Sequence, residues 1–431
     1  MTAVIMAGGK GTRLSRYTTE IPKPMIKIAS KPVLEYQIEE FKKNDVTDII
    51  ITVGYLKDAI ERYFGDGSKF GVNIRYIEEE LPLGSGGSFA YLKGKVSDTF
   101  IAVYGDVLFS VDIRRILEFH RTKNADITLA VHPNSHPYDS DLVISDQNGL
   151  VEEFNKKNSD RSESYYHNMV NAGFFIIDAK TLGYFREIKR YDLEKDFISY
   201  WINKKSVFAY HTTEYIKDMG TYDRLDSVEN DVVRGIISRR NLSNKQKCIF
   251  LDRDGTLNVL KGFITDPDQI ELEDSVSEAV KLINDSGYLA IVITNQPVIA
   301  RGLCDFSDLE HINEKIEMLL GENGAYIDDL FFCPHHPDAG YPGERKEYKI
   351  KCKCRKPGIE LIEKAADKYN IDIKQSWMVG DSTMDIQTGI NAGMHTVLLE
   401  TGESGKDGKY KAVQDYKAAN LFEAVKHILD K

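Results

Sequence analysis

The chain has 431 residues, 42% hydrophobic, 29% charged and 10% aromatic, with 12 Pro and 32 Gly. At roughly 150 residues per domain this length predicts more than one domain with its own buried core, and the composition excludes collagen, coiled coil and disorder. A net charge of −11 excludes a general nucleic-acid or anionic-membrane surface, so an anionic substrate must be met by local basic residues or by a divalent cation.

No stretch of the sequence reaches the length of apolar residues that a membrane span requires. The opening MTAVIMAGGKGTR has no basic lead-in before its short apolar run; the expected compartment is the cytoplasm. Runs rich in Val and Ile alternate with segments of helical period, the pattern of α/β units around largely parallel sheets. The alternation starts twice, at TAVIMA (2–7) and at KCIFLD (247–252). Between them a helix from Thr221 runs into SRRNLSNKQK (238–247), where polar and basic residues replace the apolar pattern. The expected organisation is a domain over 1–237, a linker over 238–246 and a second domain over 247–431.

In the first half, Gly8, Gly9 and Gly11 follow a buried-strand pattern, so the backbone can turn sharply and bring N–H groups against a phosphate, with Lys10 and Arg13 adding positive charge. The string GGKGTRL is neither a Walker A loop nor the dinucleotide fingerprint, and its glycines alone are equally compatible with a plain turn. Further along come PKPMIKI with Lys23, LPLGSGGS with Gly84 and Gly86, YGDVLF with Asp106 and KDMGT with Asp218. With this series the chain, from its start to about residue 235, resembles the sugar-phosphate nucleotidyltransferases, most closely the mannose 1-phosphate or heptose 1-phosphate guanylyltransferase group. The resemblance implies a Rossmann-like three-layer domain with a GT-A-like mixed sheet. It also implies a reaction in which a sugar 1-phosphate attacks the α-phosphate of a nucleoside triphosphate, GTP in that group, and releases pyrophosphate.

By the same resemblance Gly8, Gly9, Gly11 and Arg13 hold the triphosphate, Lys23 lies near the reacting phosphates, and loop 83–87 meets the base. Asp106 and Asp218 bind Mg2+, and Asn171, Gly173 and Glu194 contact the sugar. Lys157 aligns with a lysine that holds the sugar phosphate, although FNKKN departs from the family's pattern at Lys156 and Asn158. Taken singly, an Asp at a strand end is a common helix cap and Glu194 a common first-turn residue. A sugar phosphate is already a charged nucleophile, so this chemistry needs positioning and charge neutralisation rather than a covalent intermediate.

In the second half, FLDRDGTLN (250–258) ends an apolar strand with Asp252 and Asp254 two residues apart. Two such carboxylates can divide labour, one attacking phosphorus and the other moving protons. The pattern resembles the haloacid dehalogenase-type phosphatases and implies that fold. It implies Asp252 as nucleophile and Asp254 as acid and base, with Thr294, Asn295 and Lys356 binding phosphate. Mg2+ is then held by Asp252, the Asp254 backbone carbonyl, Asp381 and Asp385. Cys333, His335, Cys352 and Cys354 form C-x-H-x16-C-x-C, a soft ligand set suited to a structural, tetrahedral Zn2+. His336 is the competing ligand, and reduced cysteines without metal are the plain alternative.

CPHHPD and CRKP narrow the resemblance to the heptose 1,7-bisphosphate and histidinol-phosphate phosphatases, while TNQPVIARG departs from that group's usual TNQSG. Arg301 and Arg355 are the candidates for a distal phosphate; Arg301 alone also fits a solvated loop. A phosphatase that removes the 7-phosphate of a heptose 1,7-bisphosphate leaves a heptose 1-phosphate, which the first half would consume. The expected function is therefore a bifunctional enzyme making GDP-D-glycero-D-manno-heptose from GTP and a phosphorylated heptose, with no nucleic-acid or membrane partner; a homo-oligomer is compatible with the sequence. The alternatives are a mannose 1-phosphate guanylyltransferase joined to a histidinol-phosphate-type phosphatase, and a non-catalytic first half that only binds nucleotide sugar. A metal-stabilised interaction domain is the non-enzymatic reading of the second half. The intact set Arg13, Lys23, Asp106 and Asp218, and the intact DxDGT, weigh against the non-catalytic readings.

Overall fold

The computed structural model describes residues 1–431 except 10, 12, 13, 15–19, 157–160 and 162–164. Backbone contacts divide it into two compact units. One comprises Met1–His132, Val143–Asn155 and Asn171–Ser243; the other comprises Pro133–Leu142, Lys156–Val170 and Asn244–Lys431.

The first unit is built on strand β1 (Thr2–Met6), whose Ala3, Val4 and Ile5 are fully buried. A strand without alternation is covered on both faces, which is what a parallel neighbour on each side requires. β2 (Asp48–Val53) pairs with it in parallel, Ile5 opposite Ile51. β3 (Asn73–Glu78) extends the sheet beyond β2, and β4 (Thr99–Tyr104) lies on the other side of β1, Ile5 opposite Val103. β5 (Val107–Ser110) follows the turn after β4, and β6 (Val170–Asp178) runs antiparallel to β4, making the sheet mixed. The central order is β6–β4–β1–β2–β3 within a nine-stranded sheet. Helix α1 (Val33–Lys43) turns Leu34, Ile38 and Phe41 into the core. Gln37 on the same face is also fully buried; its Nε2 donates to the carbonyls of Tyr104 (2.8 Å) and Val107 (2.6 Å) and fixes the turn between β4 and β5.

β7 (Tyr215–Asp218) pairs antiparallel with β5, Asp218 opposite Val107. Helix α2 (Tyr222–Val233) follows, capped by Thr221. Within the segment 238–246, expected as a linker, Arg240, Asn241, Leu242 and Gln246 are buried and the other residues are exposed. Asn241 Nδ2 donates to Glu40 and to Ser110 within the first unit.

The second unit carries six parallel strands: β8 (Cys248–Leu251), β9 (Leu289–Asn295), β10 (Asp329–Cys333), β11 (Trp377–Gly380), β12 (His395–Leu399) and β13 (Tyr416–Ala418), in the order β10–β9–β8–β11–β12–β13. Helices α3 (Val276–Ser286), α4 (Phe306–Glu322), α5 (Glu360–Tyr369), α6 (Thr383–Ala392) and α7 (Leu421–Leu429) connect or flank them. The order reverses beside β8 in this sheet and beside β1 in the first. In open α/β sheets such a reversal leaves a crevice beyond the carboxyl ends of the strands, and both candidate sites lie there.

Candidate active sites

In the first unit a cavity of about 350 Å3 opens beyond β1 and β4, lined by Gly8, Gly9, Gly11, Lys23, Glu79, Gly84, Ser85, Tyr104 and Asp106 among others. The volume lies in the range of small-molecule sites. A side chain on Gly8 would place its Cβ 2.7 Å from Glu79 Oε1, so that carboxylate would have to shift to admit one. Lys23 pairs with Asp106. Asp218 is brought beside Asp106 by the β5–β7 pair, where the Met219 N–H also donates to the Asp106 carbonyl at 3.0 Å. Arg224 on α2 holds Asp218 at 2.7 and 2.9 Å, and the Gly220 N–H adds a third bond. Burial pushes the Asp218 carboxyl up, but Arg224, these hydrogen bonds and Lys23 outweigh it and leave it below the ordinary range.

Loop 83–87 is laced to the chain at 191–193: Tyr191 donates to Leu83, Gly86 to Tyr191, and Leu193 N–H to Ser85 Oγ. Gly84 has φ +79°, open to glycine without strain, and a Cβ there would run into the Tyr191 carbonyl. Glu194 follows at once, in the first turn of a short π-helical segment (Leu193–Ile198) capped by Asp192. It accepts hydrogen bonds from Tyr104 Oη and, at 3.3 Å, from Asn171 Nδ2. Burial and the neighbouring Glu194 carboxylate drive the Tyr104 phenol well above its ordinary pKa, so it stays the donor. Gly173 (φ +72°) leaves room for that ring; a Cβ there would sit 2.7 Å from Tyr104 Cδ2.

Thus the structure gathers Gly8, Gly9, Gly11, Gly84, Lys23 and Asp106 around one cavity and sets Asp218 next to Asp106. It gathers Asn171, Gly173 and Glu194 around Tyr104, itself a cavity residue. Gly86 supports the loop through its N–H to Tyr191. Arg13 and Lys157 lie outside the described residues. Sequence reasoning missed Glu79, Tyr104, Gln37 and Arg224. Glu79 sits in an acidic run that reads as solvated, yet it is half-buried or better, and desolvation raises its pKa.

In the second unit, Asp252 and Asp381 follow the adjacent strands β8 and β11, and Asp385 lies one turn into α6. Their carboxylate oxygens lie within 4.8 Å of one another. Lys356 Nζ reaches Asp252 Oδ1 at 2.7 Å and also pairs with Asp385. Ser382 donates through N–H and Oγ to Asp385, and the Glu403 N–H donates to Asp381 at 2.6 Å. Three carboxylates thus face one ammonium in a buried space. Burial first, then their mutual repulsion, raises the pKa of both Asp252 and Asp381. This surplus of negative charge on oxygen donors fits a hard divalent cation such as Mg2+. Gly255 (φ +82°) packs against Asp381, where any side chain would strike the carboxylate.

The Asp254 carboxylate is not in that cluster. Arg253 Nη2 lies 3.0 Å from both its oxygens, Gln296 Nε2 2.8 Å and Asn258 Nδ2 3.1 Å away. Burial raises its pKa, but these partners outweigh burial and hold it as an ion. Thr294 Oγ1 accepts from Gln296, and Asn295 brackets the Lys356 backbone, its Oδ1 accepting from the Lys356 N–H at 2.9 Å. Arg253 and Gln296 were not singled out in the sequence, where DRDGT draws attention to the acids alone.

Cys333, His335, Cys352 and Cys354 form a second cluster. Sulfur separations are 3.3 to 3.6 Å, and His335 Nδ1 lies 3.2 Å from Cys354 and 3.6 Å from Cys333. Tetrahedral ligands about 2.3 Å from a common centre stand ~3.8 Å apart, so the set fits one soft metal ion with a few tenths of an ångström of expansion. His336 instead faces Asp338 and is not in the cluster.

A family model described as nucleotidyl transferase matches residues 2–234, more than half of the chain. Over residues 353–424 a HAD-hydrolase-like model matches. D-glycero-beta-D-manno-heptose-1,7-bisphosphate 7-phosphatase of Haemophilus ducreyi is 38% identical over 170 residues, 39% of this chain and 91% of that protein. The chain belongs to the nucleotidyl transferase family, and its C-terminal part to that of these phosphatases. Mannose-1-phosphate guanylyltransferase of Mycobacterium tuberculosis is 32% identical over 237 residues, 54% of this chain; the chain spans 65% of that relative's length. Among solved structures, HddC from Yersinia pseudotuberculosis is 24% identical with a TM-score of 0.47, over 54% of this chain and 99% of that one. No described helix is long and apolar enough to cross a membrane.

Proposed function

We propose that the chain is a bifunctional enzyme of GDP-D-glycero-D-manno-heptose synthesis, its second unit removing the 7-phosphate of a heptose 1,7-bisphosphate and its first unit transferring a guanylyl group from GTP to the resulting heptose 1-phosphate. What carries this reading is the union, in one chain, of a nucleotidyl transferase domain with a phosphatase domain whose relatives act on a heptose bisphosphate. The product of the second site is then the substrate of the first.

In the first site Lys23 offsets phosphate repulsion, loop 83–87 seats the nucleotide and Glu194 holds sugar hydroxyls in the geometry set by Tyr104 and Asn171. Asp106 and Asp218 are the residues to hold Mg2+, whose charge there would neutralise phosphate oxygens. In the second site Asp252 attacks phosphorus to form an aspartyl-phosphate, with Lys356 orienting the phosphate and Asp252, Asp381 and Asp385 holding Mg2+. Asp254, kept ionised by Arg253, takes a proton from the water that later cleaves this intermediate. In the first step a substrate phosphate monoanion can bring the proton that the leaving oxygen needs. The Cys3His cluster holds Zn2+ as a structural clip, and the protein acts in the cytoplasm on soluble sugar phosphates.

The test is a product assay with purified protein, Mg2+, each anomer of heptose 1,7-bisphosphate and each nucleoside triphosphate in turn. Phosphate released with every nucleotide and pyrophosphate with GTP alone is the expected result. Asp252→Asn should stop phosphate release and leave pyrophosphate release from heptose 1-phosphate intact. Pyrophosphate from mannose 1-phosphate but not heptose 1-phosphate would overturn the heptose reading.

A further inference from the structure

Residues 401–410, within the connection from β12 to β13, include no buried residue, yet they are tied at several points to the turns that carry the phosphatase carboxylates. Thr401 Oγ1 donates to the Gly255 carbonyl at 2.6 Å. The Glu403 N–H donates to Asp381 Oδ2 at 2.6 Å, and the Gly405 N–H to the Asp381 carbonyl at 2.8 Å. Further on, the Asp407 carboxylate accepts twice from Thr383, the first residue of α6, from its N–H at 2.7 Å and from its Oγ1 at 2.8 Å. The Tyr410 N–H returns to the same Thr383 Oγ1 at 3.1 Å. With so little of this loop buried, hydrogen bonds rather than apolar packing fix its place.

The loop acts on one oxygen of Asp381. Oδ2 packs against both Gly255 and Gly402, where a Cβ on either would collide with it, and both glycines have positive φ, +82° and +50°. Among the described residues the Glu403 N–H is the one hydrogen-bond donor to this carboxylate. Oδ2 is therefore enclosed by the chain, and Oδ1 is the oxygen left to meet a cation. Asp385 is treated alike, since Ser382 donates to its Oδ2 through both N–H and Oγ. Mg2+ demands a near-ideal octahedron and is held by few protein oxygens, and donors on the outer oxygen of a carboxylate fix where the inner one points.

We propose that residues 401–410 form a strap that positions Asp381 for its cation, with Thr401 and Asp407 as the side-chain anchors and the Glu403 N–H as the contact. Thr401 ties the strap to the turn that follows Asp252 and Asp254; Asp407 ties it to the first turn of α6, which carries Asp385. The strap thus keeps the three carboxylates in register with one another. Thr401 and Asp407 are positioning residues, acting only through Gly255, Thr383 and Asp381. The inference rests on the reading of Asp252, Asp381 and Asp385 as a divalent-cation site.

The experiment titrates Mn2+, which suits the same carboxylate donors as Mg2+, into the full-length protein and follows free Mn2+ by electron paramagnetic resonance. The site in question is the one that Asp381→Asn removes. Thr401→Val and Asp407→Ala are each expected to weaken that site about tenfold or more, the range typical of lost partners behind a metal ligand. Thr401→Ser, which keeps the hydroxyl, should bind as wild type does. In phosphate release, the Mg2+ concentration for half-maximal rate should rise in step, with kcat at saturating Mg2+ largely kept. Unchanged Mn2+ affinity in either strap variant overturns the proposal, as does a loss in Thr401→Ser equal to that in Thr401→Val, or a fall in kcat that saturating Mg2+ does not restore. If Asp381→Asn removes no Mn2+ site, the cation reading itself fails, and the strap with it.

Discussion

Tyr104→Phe isolates a single hydrogen bond at the centre of the nucleotidyl transferase site. The ring would stay where it is, packed edge-to-face on Phe175 at 5.8 Å and over Gly173, so cavity shape is preserved. What is lost is the donation to the Glu194 carboxylate, while the Asn171 contact at 3.3 Å is kept. A hydrogen bond to a charged group contributes roughly 1.5–3 kcal/mol, which corresponds to about 10- to 150-fold in an equilibrium constant. Glu194 is proposed to hold the sugar, so the loss should fall on KM for the sugar phosphate and not on KM for the nucleoside triphosphate. The assay is steady-state pyrophosphate release with each substrate varied in turn, with Glu194→Gln alongside. Equal changes in both KM values would mean that Tyr104 merely supports the cavity it lines. An unchanged enzyme, with Glu194→Gln impaired, would show that Glu194 does not need the phenol; if both variants are unimpaired, Glu194 is not in the sugar site.

Lys356→Met leaves Asp252 and Asp385 without their shared cation; phosphate release should fall by about 100- to 1,000-fold while pyrophosphate release is kept. Cys354→Ser removes a buried ligand from the Cys3His cluster, so bound zinc measured by atomic emission should drop from about one ion per chain, and thermal stability with it. Burial pushes the Glu214 carboxyl up to about 7, against the hydrogen bonds it accepts from Asp112, Leu242 and Thr212. The folded chain then keeps this proton up to a higher pH than the unfolded chain, so the stabilisation present below pH 4.5 is lost as pH rises towards 7 and amounts to about 3 kcal/mol in all. Urea unfolding of wild type and Glu214→Gln between pH 5 and 8 should therefore diverge by about 2.5 kcal/mol, the variant losing less; parallel curves would refute the assignment.

The strands were legible because each central one is buried on both faces and so is written as an unbroken apolar run, TAVIM or CIFL, without the alternation that leaves helix and strand ambiguous. The acids that follow those runs were legible for the same reason: a charge at the end of a buried strand stands in the crevice. What the sequence concealed is polar groups satisfied by distant partners. SRRNLSNKQK has a linker's composition, yet Asn241 is buried because Glu40 and Ser110 receive its amide protons. Gln296 joins Thr294 to Asp254, and Tyr104 joins the cavity to Glu194. None of these pairings has a spacing signature, since each spans a turn or a crossover that only the fold closes. Glu194 is the first-turn residue that its plainer reading expects, and it is also the acceptor for Tyr104, which no spacing announces.

The two sites handle charge in opposite ways, and their substrates explain why. In the first, the two candidate Mg2+ ligands each have a cation, Lys23 for Asp106 and Arg224 for Asp218. In the reaction proposed there two polyanions meet without a covalent bond to the enzyme, so a protein surplus of negative charge would only add to their repulsion. In the second, Asp252, Asp381 and Asp385 outnumber Lys356. The carboxylate proposed as nucleophile has to stay ionised among like charges, and further positive charge keeps it so.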